Sequence, residues 1–482
     1  MRELKKLLED IIREELAWSG APGAVFALGK GGETLLLTEG LRDRERGLPV
    51  TADTRFIIAS CSKSMTAALL GRLVDEGLLD WDKPVTAFCP YMQMKDPAAR
   101  EMSLRDMLTH RTGLADHDGM WPDVSDRALL AKRLRYLDSN LRFRERYQYN
   151  NVMYVLAAHA AECVTGKSYS ALMREYVFDP LGMRDSCCDY ADYAEHPAMA
   201  QPYYYNREAG AVIPMEKWNM DQAVPAAAIC TTAGDMLKWL RFNLSGGLDE
   251  DGRRLLSVES WNAIHSGQID QPEAPLKEFL HFGSYAFGWR TGSYRGMQIW
   301  KHTGKINGFS SLEVFIPALD AVCFVSINLE CPEQHLFYRA AYTAFDYLSG
   351  IRDGGKTWEY VYRKPGEGPE RFYRANDFDL RPPLPAHPGA PRELSLYEGD
   401  YFHPGYGPLR IRREGDALTA YHRNYRIPLR PYDGDCFEAP EFWEDIKYIA
   451  MPFRFRFAEG EKAAELVLPM EPQLPPVSFL RI

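Results

Sequence analysis

Ser60 and Lys63 stand three residues apart in Phe56-Ile57-Ile58-Ala59-Ser60-Cys61-Ser62-Lys63, at the head of a segment with helical apolar spacing. Met65, Leu69 and Leu73 form one row, Leu70 and Val74 the next, and Gly77 offers a C-terminal stop. On a helix this spacing puts serine and lysine on one face. A serine hydroxyl is a poor nucleophile at neutral pH and needs a base within hydrogen-bond reach. A lysine one turn on can serve if burial or neighbouring charge lowers its pKa from roughly 10.4. The helix N-terminus adds backbone N–H groups where an oxyanion would form. The pair points to attack on a carbonyl carbon. Cys61 lies about 100° around the helix from Ser60 and is expected to be buried.

The elements that must hold this pair can be read on both sides of it. A charged amphipathic helix opens the chain. Gly23 to Leu28 and Glu33 to Leu37 follow as strands joined at Gly31-Gly32. Residues 79–227 read as helical and loop-rich, with helix starts at Ser103 and, just beyond, at Thr232. Strand signals return at Ala286-Phe287-Gly288-Trp289, Met297 to Trp300, Leu312 to Ile316 and Ala321 to Ile327, the last two flanking the turn at Pro317 to Asp320. Strands at both ends of a helical insertion imply one sheet assembled from distant segments, with a cleft beside it.

Beyond residue 350 the character changes. Residues 351–392 read as a Pro- and Gly-marked linker. Residues 393–482 alternate in short runs such as Phe453-Arg454-Phe455-Arg456-Phe457, with turns at Gly415, Gly434 and Gly460, so a small all-β barrel or sandwich is expected.

Composition excludes several functions. The 482 residues carry a net charge of −10 with no basic cluster, which argues against nucleic acid. No apolar run approaches a membrane span. The nine cysteines are scattered without metal-ligand spacing, which suits a reducing compartment; with no signal peptide read at Met1, a cytoplasmic protein is expected. Asp116-His117-Asp118 lacks a ligand framework and reads as a solvated loop, and Tyr203 to Tyr205 as a surface or cleft-rim patch. No cofactor and no metal are expected.

Two further motifs follow Ser60 in order: Tyr149-Asn150-Asn151 before a helix, and His302-Thr303-Gly304 at the end of a strand. With Leu108-Thr109-His110-Arg111-Thr112-Gly113-Leu114, Thr165-Gly166-Lys167-Ser168-Tyr169 and Pro180-Leu181-Gly182-Met183, they make residues 1–350 resemble the serine hydrolases of the class C β-lactamase and DD-peptidase family. The C-terminal part resembles the lipocalin-like modules appended to some members. The resemblance implies an α+β fold, an antiparallel sheet with a helical subdomain at about 80–228, and a separate all-β domain.

It also implies roles. Ser60 is the nucleophile, and Lys63 and Tyr149 share the proton work, with the choice of base left open. Asn151 orients Lys63 and the substrate amide, while the backbone N–H groups of Ser60 and Lys305 form the oxyanion hole. His302, Thr303 and Gly304 line the opposite wall. Class C β-lactamases usually carry Lys where this chain has His302, and His is mostly neutral at pH 7. Relatives also often show Gly-Gly where this chain has Ala227-Ala228. The reading is therefore a peptidase, D-amino-acid amidase or esterase acting on a small-molecule or peptide substrate. A true β-lactamase is the alternative, and a silent binding protein the rival. The C-terminal domain is expected to restrict the cleft or to mediate self-association.

Overall fold

The computed structural model describes all residues except 1, 119, 121–125, 207–208, 272, 274–275, 331–334, 362–387, 423–424, 440–450 and 459–461. Most of the linker expected at 351–392, and the turn at Gly460, lie outside the described residues. The chain folds into two compact units. One is built on Met1–Lys83, Ser103–Thr109 and Ala157–Ala375, the other on Pro84–Met102, His110–Leu156 and Asn376–Ile482.

In the first unit, nine strands among the described residues form one antiparallel sheet. Its spatial order is Leu48–Pro49, Glu33–Asp43, Gly23–Lys30, Ala321–Ile327, Phe309–Ile316, Met297–Ile306, Arg290–Tyr294, Leu280–Tyr285 and Ile269–Asp270. The sheet is thus assembled from both ends of the region, with Ala24 opposite Ile327 and Lys30 opposite Ala321. Ala321–Ile327 is buried at every position, so both its faces are covered, as its unbroken apolar run requires. Helices Arg2–Ser19 and His335–Leu348 bury Leu4, Leu8, Ile12, Phe337 and Phe345 in one core with Phe26, Leu28 and Val325. Helix Ala233–Leu244, capped by Thr232 Oγ1 on Asp235 N, packs against three central strands.

Two expectations change here. Ala286–Trp289 forms a tight turn between two strands, because Gly288 takes a positive φ of 75° and Ala286 N donates to Trp289 O. Tyr203 is wholly buried, with Arg44 N donating to its hydroxyl, because it pairs in the hairpin of Tyr203–Asn206 with Ala211–Pro214 rather than facing water.

In the second unit, eight strands from Gly399–His403 to Val477–Arg481 close into an antiparallel barrel, sealed where Tyr401 pairs with Arg481. Met451, Phe453 and Phe455 point inward and Arg454 and Arg456 outward, the period-two pattern of a closed sheet. Among the described residues, no helix is long and apolar enough to cross a membrane. The described cysteines are buried apart from half-buried Cys163.

Candidate active site

Strand Phe56–Ile57 pairs with Cys230–Thr231 and leads into a 3₁₀ turn, Ala59–Cys61, before helix Ser62–Asp75. Ala59 holds a left-handed φ of 49°, a conformation that costs an alanine about 1–2 kcal/mol and aims the next residue. The helix ends in a Schellman turn, with Gly77 N on Val74 O and Leu78 N on Leu73 O. The apolar rows predict one buried face, but nearly the whole helix is buried, including Ser62, Lys63, Ser64 and Thr66. Hydrogen bonds make this tolerable: Ser64 Oγ donates to Cys61 O, and Thr66 Oγ1 to Pro225 O.

Ser60 and Lys63 meet. Lys63 Nζ is fully buried and lies 3.0 Å from Ser60 Oγ, and 2.8 Å from the carbonyl of Ala226. That carbonyl belongs to the short helix Val224–Ala227, so the lysine finds its second anchor one residue before the Ala227-Ala228 pair. Ser60 itself stays half-buried, which leaves its hydroxyl within reach of a substrate.

Strand Met297–Ile306 lies directly on this turn. A Cβ at Gly304 would come within 2.5 Å of the Ile58 carbonyl and 2.7 Å of Ser60 N. Pairing with Arg290–Tyr294 extends only to Lys301, whereas pairing with Phe309–Ile316 continues to Ile306. Thr303 and Lys305 are half-buried and alternate with buried His302, Gly304 and Ile306.

His302 turns inward. Its Nδ1–H reaches Thr303 O at 2.7 Å, Nε2 lies 3.0 Å from the Tyr285 hydroxyl, and burial with the charges of Arg290 and Lys63 holds its pKa well below the usual imidazole range. It is a neutral ring that props the strand. Lys305 Nζ pairs with Glu330 at 3.1 Å. Cys61 is buried as expected, against Ser311 Oγ and His302 O, and burial pushes its thiol pKa up. Glu313, opposite His302 in the sheet, is also buried. Its carboxyl is pushed well above the usual range, Trp239 Nε1 donates to Oε2, and Oε1 has no hydrogen-bond partner among the described residues.

Tyr149 and Asn151 are carried by the second unit, at the start of helix Asn151–Thr165. Asn150 caps that helix, its Oδ1 accepting from Met153 N. Tyr149 packs against buried His110 with 4.4 Å between ring centroids and the rings tilted by 35°, and His110 Nδ1 accepts from Asn150 N. Asn151 Nδ2 donates to Asp118 Oδ1 at 3.1 Å. The solvated loop expected at 116–118 is corrected: His117 is only 1% exposed. Barrel residue Tyr406 covers it, with 2.7 Å between the hydroxyl and Nδ1.

The family model described as Beta-lactamase matches residues 8–346. The chain belongs to the Beta-lactamase family. A second family model, described as a domain of unknown function (DUF3471), matches residues 384–479, which include most of the barrel. Unguisins hydrolase ungD' of Aspergillus campestris is 27% identical, over 87% of this chain and 80% of its own length. The D-amino acid amidase of Ochrobactrum anthropi SV3, solved with D-phenylalanine, is 25% identical with a TM-score of 0.59, covering 72% of this chain and 98% of that one. The octameric penicillin-binding protein homologue from Pyrococcus abyssi has a TM-score of 0.60 over 98% of this chain and 99% of that one, at 21% identity, and so shows a shared fold. Members of this family are serine hydrolases, so an enzyme is indicated.

Several residues of the Beta-lactamase fold here escape sequence reasoning. Ala226 acts through its carbonyl, which no residue type announces. Asp118 is found only through its bond to Asn151. Glu313 did leave a signal: it is the single acid in the otherwise uncharged run Phe309–Ile316.

Proposed function

We propose that this chain hydrolyses an amide bond through an acyl-enzyme on Ser60, as a peptidase or D-amino-acid amidase rather than a β-lactamase. One observation carries the reading: a fully buried lysine amine 3.0 Å from a half-buried serine hydroxyl. The name of the D-amino acid amidase supports an amide substrate.

In this reading Lys63 first gives up its own proton to solvent, Ser60 Oγ attacks the substrate carbonyl carbon, and the serine proton passes to the neutral Lys63 amine. The oxyanion is met by the N–H groups of Ser60 and Lys305, on backbone that Gly304 allows to approach. The amine leaves with a proton, and water then opens the acyl-enzyme. Tyr149 and Asn151 are assigned to proton handling and amide recognition by the motif resemblance. Thr303 is assigned to the substrate-facing side of its strand. Neutral His302 supplies no fixed charge for a β-lactam carboxylate, which favours the amidase reading over the lactamase one.

The test is intact-mass analysis and turnover with a panel of D-amino-acid amides, D-amino-acid peptides and benzylpenicillin, for wild type and Ser60→Ala. Amide turnover that falls by on the order of 10⁴-fold or more in Ser60→Ala is expected. Full activity in that variant would remove the proposal, and rapid penicillin hydrolysis by wild type would replace it with a lactamase.

A further inference from the structure

The barrel reaches the loop that holds Asn151. Between strands Gly399–His403 and Gly407–Glu414, the turn projects Tyr406 with a glycine on each side. Both glycines allow a close approach: a Cβ at Gly405 would meet Leu137 Cδ2 at 2.9 Å, and one at Gly407 the Arg133 guanidinium at 2.8 Å. His403 Nδ1 accepts from the N–H groups of Gly405 and Tyr406, which fixes the turn. Tyr406 is 2% exposed, and its hydroxyl lies 2.7 Å from His117 Nδ1.

His117 needs such a partner. Its backbone holds a left-handed φ of 46°, and its ring is buried, with Nε2–H on the carbonyl of Asp138 at 2.9 Å. Nδ1 is therefore the acceptor and the tyrosine the donor. The carboxylate of Glu471, also from the barrel, stands 3.8 Å from Nδ1. The next residue, Asp118, is the one that accepts from Asn151 Nδ2. The same loop is tied to the helix start from its other side, where Asn150 Nδ2 donates to Ala115 O at 2.7 Å.

We infer that Tyr406 is a positioning residue for the proposed hydrolase, holding the Asn151 amide in register through His117 and Asp118. The inference rests on the reading of this chain as an amide hydrolase that uses Asn151. It gives the barrel a part in turnover beyond covering or assembly: a buried hydroxyl that sets the orientation of an amide two residues removed from the ring it holds. Removing the hydroxyl leaves Nδ1 of a buried ring unsatisfied and releases a strained residue, so the loop and the carboxylate that orients Asn151 shift with it.

The test is a double-mutant cycle in the full chain. Tyr406→Phe is expected to lower kcat/KM for the best amide substrate about tenfold. In an Asn151→Ala background the same change is expected to have less than about a twofold effect, because the group it positions is gone. Asp118→Ala provides a second break in the path and should likewise make Tyr406→Phe silent. Thermal midpoints read the structural part separately, since a purely structural loss moves both backgrounds alike. Equal losses in both backgrounds, or no loss in either, overturn the inference. Turnover that survives Ser60→Ala removes the hydrolase reading itself, a result distinct from a flat cycle.

Discussion

Gly304→Ala tests whether the strand must lie on the serine turn. The added methyl would stand 2.5 Å from Ile58 O, 2.7 Å from Ala59 Cβ and 2.7 Å from Ser60 N. To reach ordinary contact near 3.4 Å, strand and turn must separate by about 0.7–0.9 Å. Overpacking of this kind costs about 1–3 kcal/mol of stability. The chemical cost should be larger in proportion, because both N–H groups assigned to the oxyanion belong to the segments being pushed apart. A misplacement approaching 1 Å costs about 100-fold in rate, or about 2.7 kcal/mol. The assay compares kcat on the preferred amide with the thermal midpoint, using Gly32→Ala as a control at a site with nothing within 4 Å. Gly304→Ala is expected to fold and to lose about 100-fold in kcat, whereas Gly32→Ala changes neither. Turnover within about twofold of wild type in a folded Gly304→Ala protein would refute the assigned oxyanion geometry.

Two further outcomes concern buried titratable groups. Burial holds the His117 ring down to about 4 from its ordinary 6.5, with His403 and Glu471 facing it beside the Asp138 carbonyl. The unfolded chain binds that proton first. The neutral ring's contribution is therefore complete above pH 6.5 and lost as pH falls toward 4, at up to about 1.4 kcal/mol per unit. Urea midpoints of His117→Asn, which tolerates the left-handed backbone, should change less than wild type between these values; parallel profiles would count against this account. Glu313 has the opposite sign. Its carboxyl stays protonated in the fold while the unfolded chain ionises above its ordinary 4.5, so its cost grows as pH rises. Glu313→Gln keeps an acceptor for Trp239 Nε1 and should be at least as stable as wild type at pH 8; a larger loss at pH 8 than at pH 4 argues for a buried carboxylate.

The parts of the site legible in the sequence are those set by short-range geometry. The Ser60–Lys63 spacing, the Gly77 stop and the Gly31-Gly32 hairpin each depend on a few consecutive residues, and all three stand in the structure. The sheet joining both ends was legible because its strands are apolar runs bounded by turns. The Ala286–Trp289 segment misled because aromatic residues favour strands, while Gly288 beside Ser64 N, where a Cβ would come within 2.6 Å, forces a turn. The loop at His117 misled because three polar residues look solvated, while a distant tyrosine covers the histidine among them.

What the sequence by itself determined is the inventory of reactive groups and their order on local elements, since helix pitch and strand alternation follow from the chain's own stereochemistry. Tertiary structure alone decided which groups are dry and what each one touches. Lys63 finds its second anchor on a carbonyl 163 residues away, Cys61 and Ser311 meet across 250 residues, and His117 meets Tyr406 across 289. Backbone carbonyls carry no residue-type signature, and burial depends on what packs from elsewhere in the chain. Reactivity here is set by those long-range contacts, because desolvation and hydrogen bonding, rather than residue type, fix the charge state of each group.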